Sequence, residues 1–277
     1  MSKKEKNKKK INKFMSVSWK LIPVLYVVIL VLSGIMSGRY KIPGINDIDT
    51  SKKPVVTDQI VAEQRKENPI AAEQGEQNID LTELLNGVQN FQIPEIIDDS
   101  PYIVVNNNKP YFNGVTAEVF EMYDELDSMG RCQVACANIC KELMPTTERE
   151  GIGMIKPTGW HIYKYDFVDG KYLYNRCHLI GYQLTGENAN EKNLITGTRY
   201  LNVEGMLPFE NKIAEYVKRT DNHVMYRVSP IFENDNMLAT GVLMEAKSVE
   251  DEELEFCVFC PNIQPGVKID YKTGEVK

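Results

Sequence analysis

Histidine is scarce in this sequence, with three in 277 residues, at positions 161, 178 and 223. None stands at a spacing that would complete a zinc site with Cys257-x-x-Cys260, and no second Cys-x-x-Cys is present. Positive charge is also short over most of the chain. From residue 101 onward, 18 Lys and Arg face 26 Asp and Glu, a net of −8. That balance excludes a tight, salt-sensitive DNA binder with a broad basic face. Any action on nucleic acid must pass through a local site, aided by a metal cation. Internal repeats are absent too, so solenoid and propeller architectures drop out.

What is present begins at the N-terminus. Residues 1–20 carry eight lysines against one acid, Glu5. Behind them "LIPVLYVVILVLSGIM" is apolar and uncharged. With the largely apolar residues 14–19 it is long enough to cross a bilayer, which takes about 20 residues. The lysines should stay in the cytoplasm, which places the rest of the chain outside. The expected organisation is a basic cytoplasmic segment at 1–20, a single-pass signal anchor at 21–38, a polar stalk at 39–94 and an extracellular domain at 95–277. A cleaved, secreted form is the competing outcome. The stalk has no sustained apolar period, as in "KIPGINDIDTSKKPVVTDQ", and "LTELLNGVQNF" reads as a short helix leading into the domain.

Six cysteines, at 132, 136, 140, 177, 257 and 260, permit disulfides outside the membrane but do not reveal their pairing. "PYIVVNNNKPYF" reads as strand, turn and second short strand. The stretch before Gly130 reads as a short helix or turn, and residues 132–143 as helix or strand. Asp169-Gly170 between alternating runs signals a hairpin with strands at about 160–167 and 171–178. "MLPFENKIAEYVKRT" has an apolar stripe at Phe209, Ile213 and Val217 and reads as a helix. "HVMYRVSPIF", "MLATGVLMEAKSV" and "LEFCVFCPNI" read as strands, giving a mixed α+β domain.

His178 ends a strand in "YNRCH". Residues two apart on a strand share a face, so Arg176 and His178 go together and Cys177 faces away. That argues against a Cys177–His178 nucleophilic pair. Asn193 lies in "NEKNLITGT", Asn202 in "RYLNVEGM" and Glu210 eight residues later. On a continuous helix Asn202 and Glu210 would share a face, although Gly205 and Pro208 leave its continuity open.

The run Asn175-Arg176-Cys177-His178, then "NEKNLITGTRYLN", "VEGMLPFE" and the closing "YRVSPIF", "MEAKSV" and "PNIQPGVKIDYKTGEV" resemble the DNA/RNA non-specific endonucleases with a ββα-metal site. The likeness is to their secreted and membrane-anchored Gram-positive branch, and it is clear over roughly 120 residues. It implies an α+β fold, a mixed, mainly antiparallel sheet carrying a ββα-metal (His-Me finger) motif. It implies a sequence-non-specific endonuclease that acts on DNA, with RNA as a further candidate substrate, leaving 5′-phosphate and 3′-hydroxyl ends. His178 would be the general base, Arg176 would pair with the phosphate, and Asn202 would hold Mg²⁺, with Mn²⁺ as the alternative. Glu210 would hold a metal-bound water. Asn193, Asn175 and Arg149 are accessory candidates, and Arg131 competes with Arg149 for a second phosphate contact. Two departures stand out: Asn175 where the family usually has Asp, and Cys177 where it has Gly. They keep a rival reading alive, a surface nucleic-acid receptor with a degenerate site, serving uptake or adhesion.

Overall fold

The computed structural model describes residues 81–86, 88 and 91–277. The basic segment, the expected anchor and the stalk up to residue 80 lie outside the described residues. Among the described residues no helix is long and apolar enough to cross a membrane.

Six strands form the main sheet: β1 (Ile103–Val104), β2 (Glu121–Tyr123), β3 (Ala135–Ile139), β6 (Val224–Ile231), β7 (Gly241–Ser248) and β8 (Glu255–Pro261). Their order is β1-β8-β7-β6-β3-β2, and every pairing is antiparallel. A separate antiparallel pair joins β4 (Tyr174–His178) to β5 (Leu194–Thr198). Among the described residues the α-helices are α1 (Leu81–Leu84), α2 (Tyr182–Thr185) and α3 (Leu207–Thr220), and a π-helical turn at Leu201–Met206 runs directly into α3. The expected α+β architecture with an antiparallel sheet is present.

The core explains this layering. Phe209, Ile213 and Val217 of α3 are all buried, as their four-residue spacing requires. They pack with Cys177 and Ile195 of the β4–β5 pair onto one face of the sheet, against residues such as Ala137, Tyr226 and Met244. The other face is covered by the N-terminal part of the described chain, with Leu84 and Phe112 against Cys136 and Met225. Both faces are dry, which is why all of β3 is buried. A buried ion pair lies under that cover. Arg227 and Glu245 are register partners on β6 and β7 and are joined at 2.8 and 3.0 Å. Arg227 Nη1 also donates to the Leu84 carbonyl, and Glu245 Oε1 accepts the Tyr111 N–H.

Several local expectations are corrected. The asparagines of "VVNNN" make a 3₁₀ turn at Asn106–Asn108, and the following "KPYF" forms no second strand. The segment before Gly130 contributes strand β2 instead of a helix, because edge pairing to β3 satisfies its backbone. Within residues 132–143, Ala135–Ile139 form strand β3 and the rest is turn or irregular. The Asp169-Gly170 hairpin is only a stub. Its arms share one isolated bridge, Lys164 to Tyr172. A two-residue primed turn needs positive φ at Asp169 and Gly170, but here the positive φ falls on Gly170 and Lys171 (66° and 67°). Strand pairing then passes to β5. The two strands of the ββα unit are therefore β4 and β5, and His178 closes the first of them. All six cysteines are buried free thiols.

Candidate active site

β4, the π-helical turn and the start of α3 enclose a cleft of about 840 Å³. Among the described residues three arginines, at 149, 176 and 199, line it with a single carboxylate, Glu210. In an acidic domain this is a local concentration of positive charge.

His178 is fixed at both ring nitrogens. Nε2 lies 2.8 Å from the Asn188 carbonyl, and Nδ1 lies 3.3 Å from Arg149 Nη2. A guanidinium only donates and a carbonyl only accepts, so Nε2 carries the proton and Nδ1 keeps its lone pair. Burial pushes the imidazole down to about 4, Arg149 pushes the same way, and the Asn188 contact opposes both. The ring is neutral at pH 7. The other histidines lie elsewhere: His161 contacts the Thr273 carbonyl, and His223 pairs with Glu250.

The opposite wall is built on the π-helical turn. Asn202 Nδ2 donates to Asn175 Oδ1 at 3.1 Å, and the Cys177 thiol donates to Asn202 Oδ1 at 3.2 Å. The side chain of Cys177 fits because Gly197 crosses behind it. A Cβ on Gly197 would come within 2.7 Å of the Cys177 Cβ. Cys177 thus packs behind the site, as strand alternation predicted. π-helical insertions often mark functional positions, and this one joins α3 without a break, so Asn202 and Glu210 line one cleft.

Glu210 is buried, and burial raises its carboxyl to about 7, with only the Gly181 N–H and the Arg149 charge drawing it back. Gly181 is glycine because of this approach. Its φ is an ordinary −61°, but a Cβ there would sit 2.6 Å from Glu210 Oε2. Gly181→Ala is expected to cost about 1–3 kcal/mol in thermal or urea unfolding, as overpacking does. An unchanged melting temperature would contradict this contact.

The remaining candidates divide. Arg176 stacks on Trp160 at 4.1 Å and donates through Nε to the Ile155 carbonyl and through Nη2 to the Gly153 carbonyl at 2.8 Å. Those donors hold the 152–155 loop. Asn193 is fully buried and does not line the cleft. Its amide brackets Ile180, accepting from its N–H at 2.9 Å and donating to its carbonyl at 3.0 Å, which pins the chain just after His178. Arg149 is exposed and reaches the base. Arg131 is tied to Asp127 and to the Asn234 and Asn236 carbonyls, away from the cleft. Sequence reasoning missed Gly181, Arg199 and the Asn188 carbonyl. Gly181, three residues after His178 with no turn signature around it, was the one detectable signal.

For a divalent cation the donor set fits: a neutral amide oxygen on Asn202 and a desolvated carboxylate on Glu210 with no fixed cation in contact. Such hard oxygen donors suit Mg²⁺ or Mn²⁺, and a cation nearby would offset the burial that raises Glu210.

Residues 112–250 match the family model described as DNA/RNA non-specific endonuclease. Among solved structures, NucA from Streptococcus agalactiae with magnesium bound is similar at 25% identity and a TM-score of 0.58, covering 71% of this chain and 94% of NucA. Its metal-free form gives 25% and 0.59, covering 75% and 98%. The Sda1 nuclease with a bound zinc ion gives 25% and 0.52, covering 65% of this chain and 97% of Sda1.

Proposed function

Because the chain belongs to the DNA/RNA non-specific endonuclease family, and is thus an endonuclease acting on nucleic acid, we propose that it is a membrane-anchored, Mg²⁺-dependent enzyme. It hydrolyses DNA, and RNA as a second substrate, outside the cell with little sequence preference. The observation that carries the reading is the neutral His178, its Nδ1 lone pair facing a cleft lined by Asn202 and Glu210.

His178 Nδ1 takes a proton from a water whose oxygen forms the new bond to phosphorus. The bond from phosphorus to the 3′ oxygen breaks, and that oxygen leaves, taking a proton from solvent water to become a 3′-hydroxyl, with the phosphate retained on the 5′ end. The Nε2–H to Asn188 bond holds the ring through this transfer and stabilises the imidazolium. Arg149 now occupies Nδ1. Its exposed guanidinium is suited to move onto a phosphate, which opens the lone pair to water and removes a charge that lowers the basicity of His178. Arg176, committed to the 152–155 loop, shapes the cleft. A divalent ion, when bound by Asn202 and by Glu210 through water, supplies Lewis-acid stabilisation of the phosphate and the leaving oxygen. Magnesium in NucA and zinc in Sda1 support a divalent ion in general.

Supercoiled plasmid tests the reading. The full-length chain should nick and linearise it with Mg²⁺ and not with EDTA. Binding without cleavage across several divalent ions at pH 6–9 would instead favour the receptor reading. Sedimentation of the full chain with membranes, with release by detergent and not by salt, tests the anchor.

Protons should compete with the metal at Glu210. A carboxyl raised to about 7 is progressively protonated as pH falls below that value, and the form that holds the cation is lost about tenfold per unit. The Mg²⁺ concentration for half-maximal cleavage is expected to rise between pH 8 and 6. In Glu210→Gln, with lower overall activity, the slope should flatten. A wild-type requirement that is flat over this range would contradict the role given to Glu210.

A further inference from the structure

We infer that Arg199 is a positioning residue: anchored by Asp169, it orients the Asn175 amide so that Asn202 presents its carbonyl oxygen to the cation. This rests on the metal role proposed for Asn202.

The question arises from Asn175. A carboxylate there would offer Asn202 an acceptor oxygen in any orientation. An amide does not, since one end donates and the other accepts. Two facing amides have two hydrogen-bonded arrangements. In one, Asn202 donates to Asn175 and its own oxygen is left for other partners. In the other, Asn202 accepts from Asn175, and its NH₂ group is left facing the cleft. The second arrangement would point N–H donors at a cation.

Arg199 removes the second arrangement. A guanidinium has no acceptor, and Nη1 lies 3.3 Å from Asn175 Oδ1. Rotating the Asn175 amide would set N–H against N–H. Arg199 cannot easily turn away, because Nε and Nη2 both bond Asp169 Oδ2, at 3.1 and 2.7 Å. Asn175 Oδ1 therefore faces both Arg199 and Asn202 Nδ2, the latter at 3.1 Å. The Cys177 thiol lies 3.2 Å from the other end of the Asn202 amide, Oδ1. A thiol both donates and accepts weakly, so this contact is compatible with that orientation without selecting it, and an amide oxygen has a second lone pair to spare. The chain Asp169–Arg199–Asn175–Asn202 thus does with a donor-only cation what a carboxylate at position 175 would do alone.

The test is Mn²⁺ binding to the full-length chain, read by electron paramagnetic resonance, with plasmid cleavage alongside. Arg199→Met should weaken Mn²⁺ binding by about ten- to a hundredfold, the usual cost of losing an outer-shell partner. Arg199→Lys, still a pure donor, should stay within a few-fold of wild type. Asn175→Asp should restore binding in the Arg199→Met background, because a carboxylate needs no orienting. Unchanged Mn²⁺ affinity in Arg199→Met would overturn the inference. So would failure of Asn175→Asp to rescue it, which would show that Arg199 supports the site by a route other than orienting Asn175. If Arg199→Met does not fold, Arg199→Gln replaces it, since its amide can accept as well as donate. Equal Mn²⁺ binding by the Gln and Lys variants would then overturn the inference. A wild-type chain that binds Mn²⁺ yet cuts nothing refutes the nuclease reading alone, and one that binds no Mn²⁺ refutes both.

Discussion

His178→Ala is expected to lower the rate of plasmid cleavage by roughly a hundred- to ten-thousandfold, the range for loss of a positioned general base. The fold should survive, because the imidazole hangs from the last residue of β4 and makes two polar contacts, to Asn188 and Arg149. A modest fall in melting temperature, with Mn²⁺ affinity retained, would separate loss of the base from loss of the metal site. The pH profile adds a second check. A base with its pKa lowered to about 4 is largely unprotonated from about pH 5 upward. Wild-type activity lost between pH 7 and 5 should therefore be recovered by raising the metal concentration, since it comes from Glu210. Loss in that window that no amount of metal reverses would show a His178 far more basic than its buried setting allows. If His178→Ala cleaves at the wild-type rate, the proton is taken elsewhere and the assignment fails.

Arg227→Met should be the most destabilising single change on the far side of the sheet, at about 3–5 kcal/mol in urea unfolding. Arg227 and Glu245 are almost fully buried, with side-chain exposures of 4% and 0%. Removing the arginine leaves a carboxylate in a dry layer with one remaining hydrogen bond, from the Tyr111 N–H. The same change frees the Leu84 carbonyl and takes the cation from the face of Phe112. The double variant Arg227→Met/Glu245→Leu should recover much of the loss, because a volume-matched apolar pair avoids the unpaired charge. Activity per folded molecule should be unchanged in both, since the pair lies across the sheet from the cleft. A single-variant cost under about 1 kcal/mol would mean that water reaches the pair.

Much of this arrangement could be read in advance where a local period carried the signal. The stripe at Phe209, Ile213 and Val217 marked α3 because one helix face must be dry, and strands β6 to β8 showed as alternating or apolar runs. His178 stood out through its neighbours on a strand end. β5 did not, because Leu194–Thr198 is buried on both faces and so has no alternation to detect. β2 is an edge strand of three residues in an acidic stretch, and its conformation is set by β3. Arg176 lines the cleft, where a phosphate ligand was expected, but its contacts to Trp160 and to the Gly153 and Ile155 carbonyls are ones that only the folded loop creates. The role of Arg199 depends on Asp169, thirty positions away, which no spacing rule connects.

The six buried cysteines decide how the domain meets thiol reagents. Burial raises each of them, Cys132, Cys136 and Cys257 to about 12. At neutral pH a thiol of that kind holds roughly one thiolate per hundred thousand, and the thiolate is the reacting form. In the folded domain these thiols are therefore slow to react. The exposure to damage comes during opening, when all six become available at once and can cross-link wrongly. Alkylation by a small thiol reagent would then act as a clock, its rate set by how often the domain unfolds and not by the chemistry of any one sulfur.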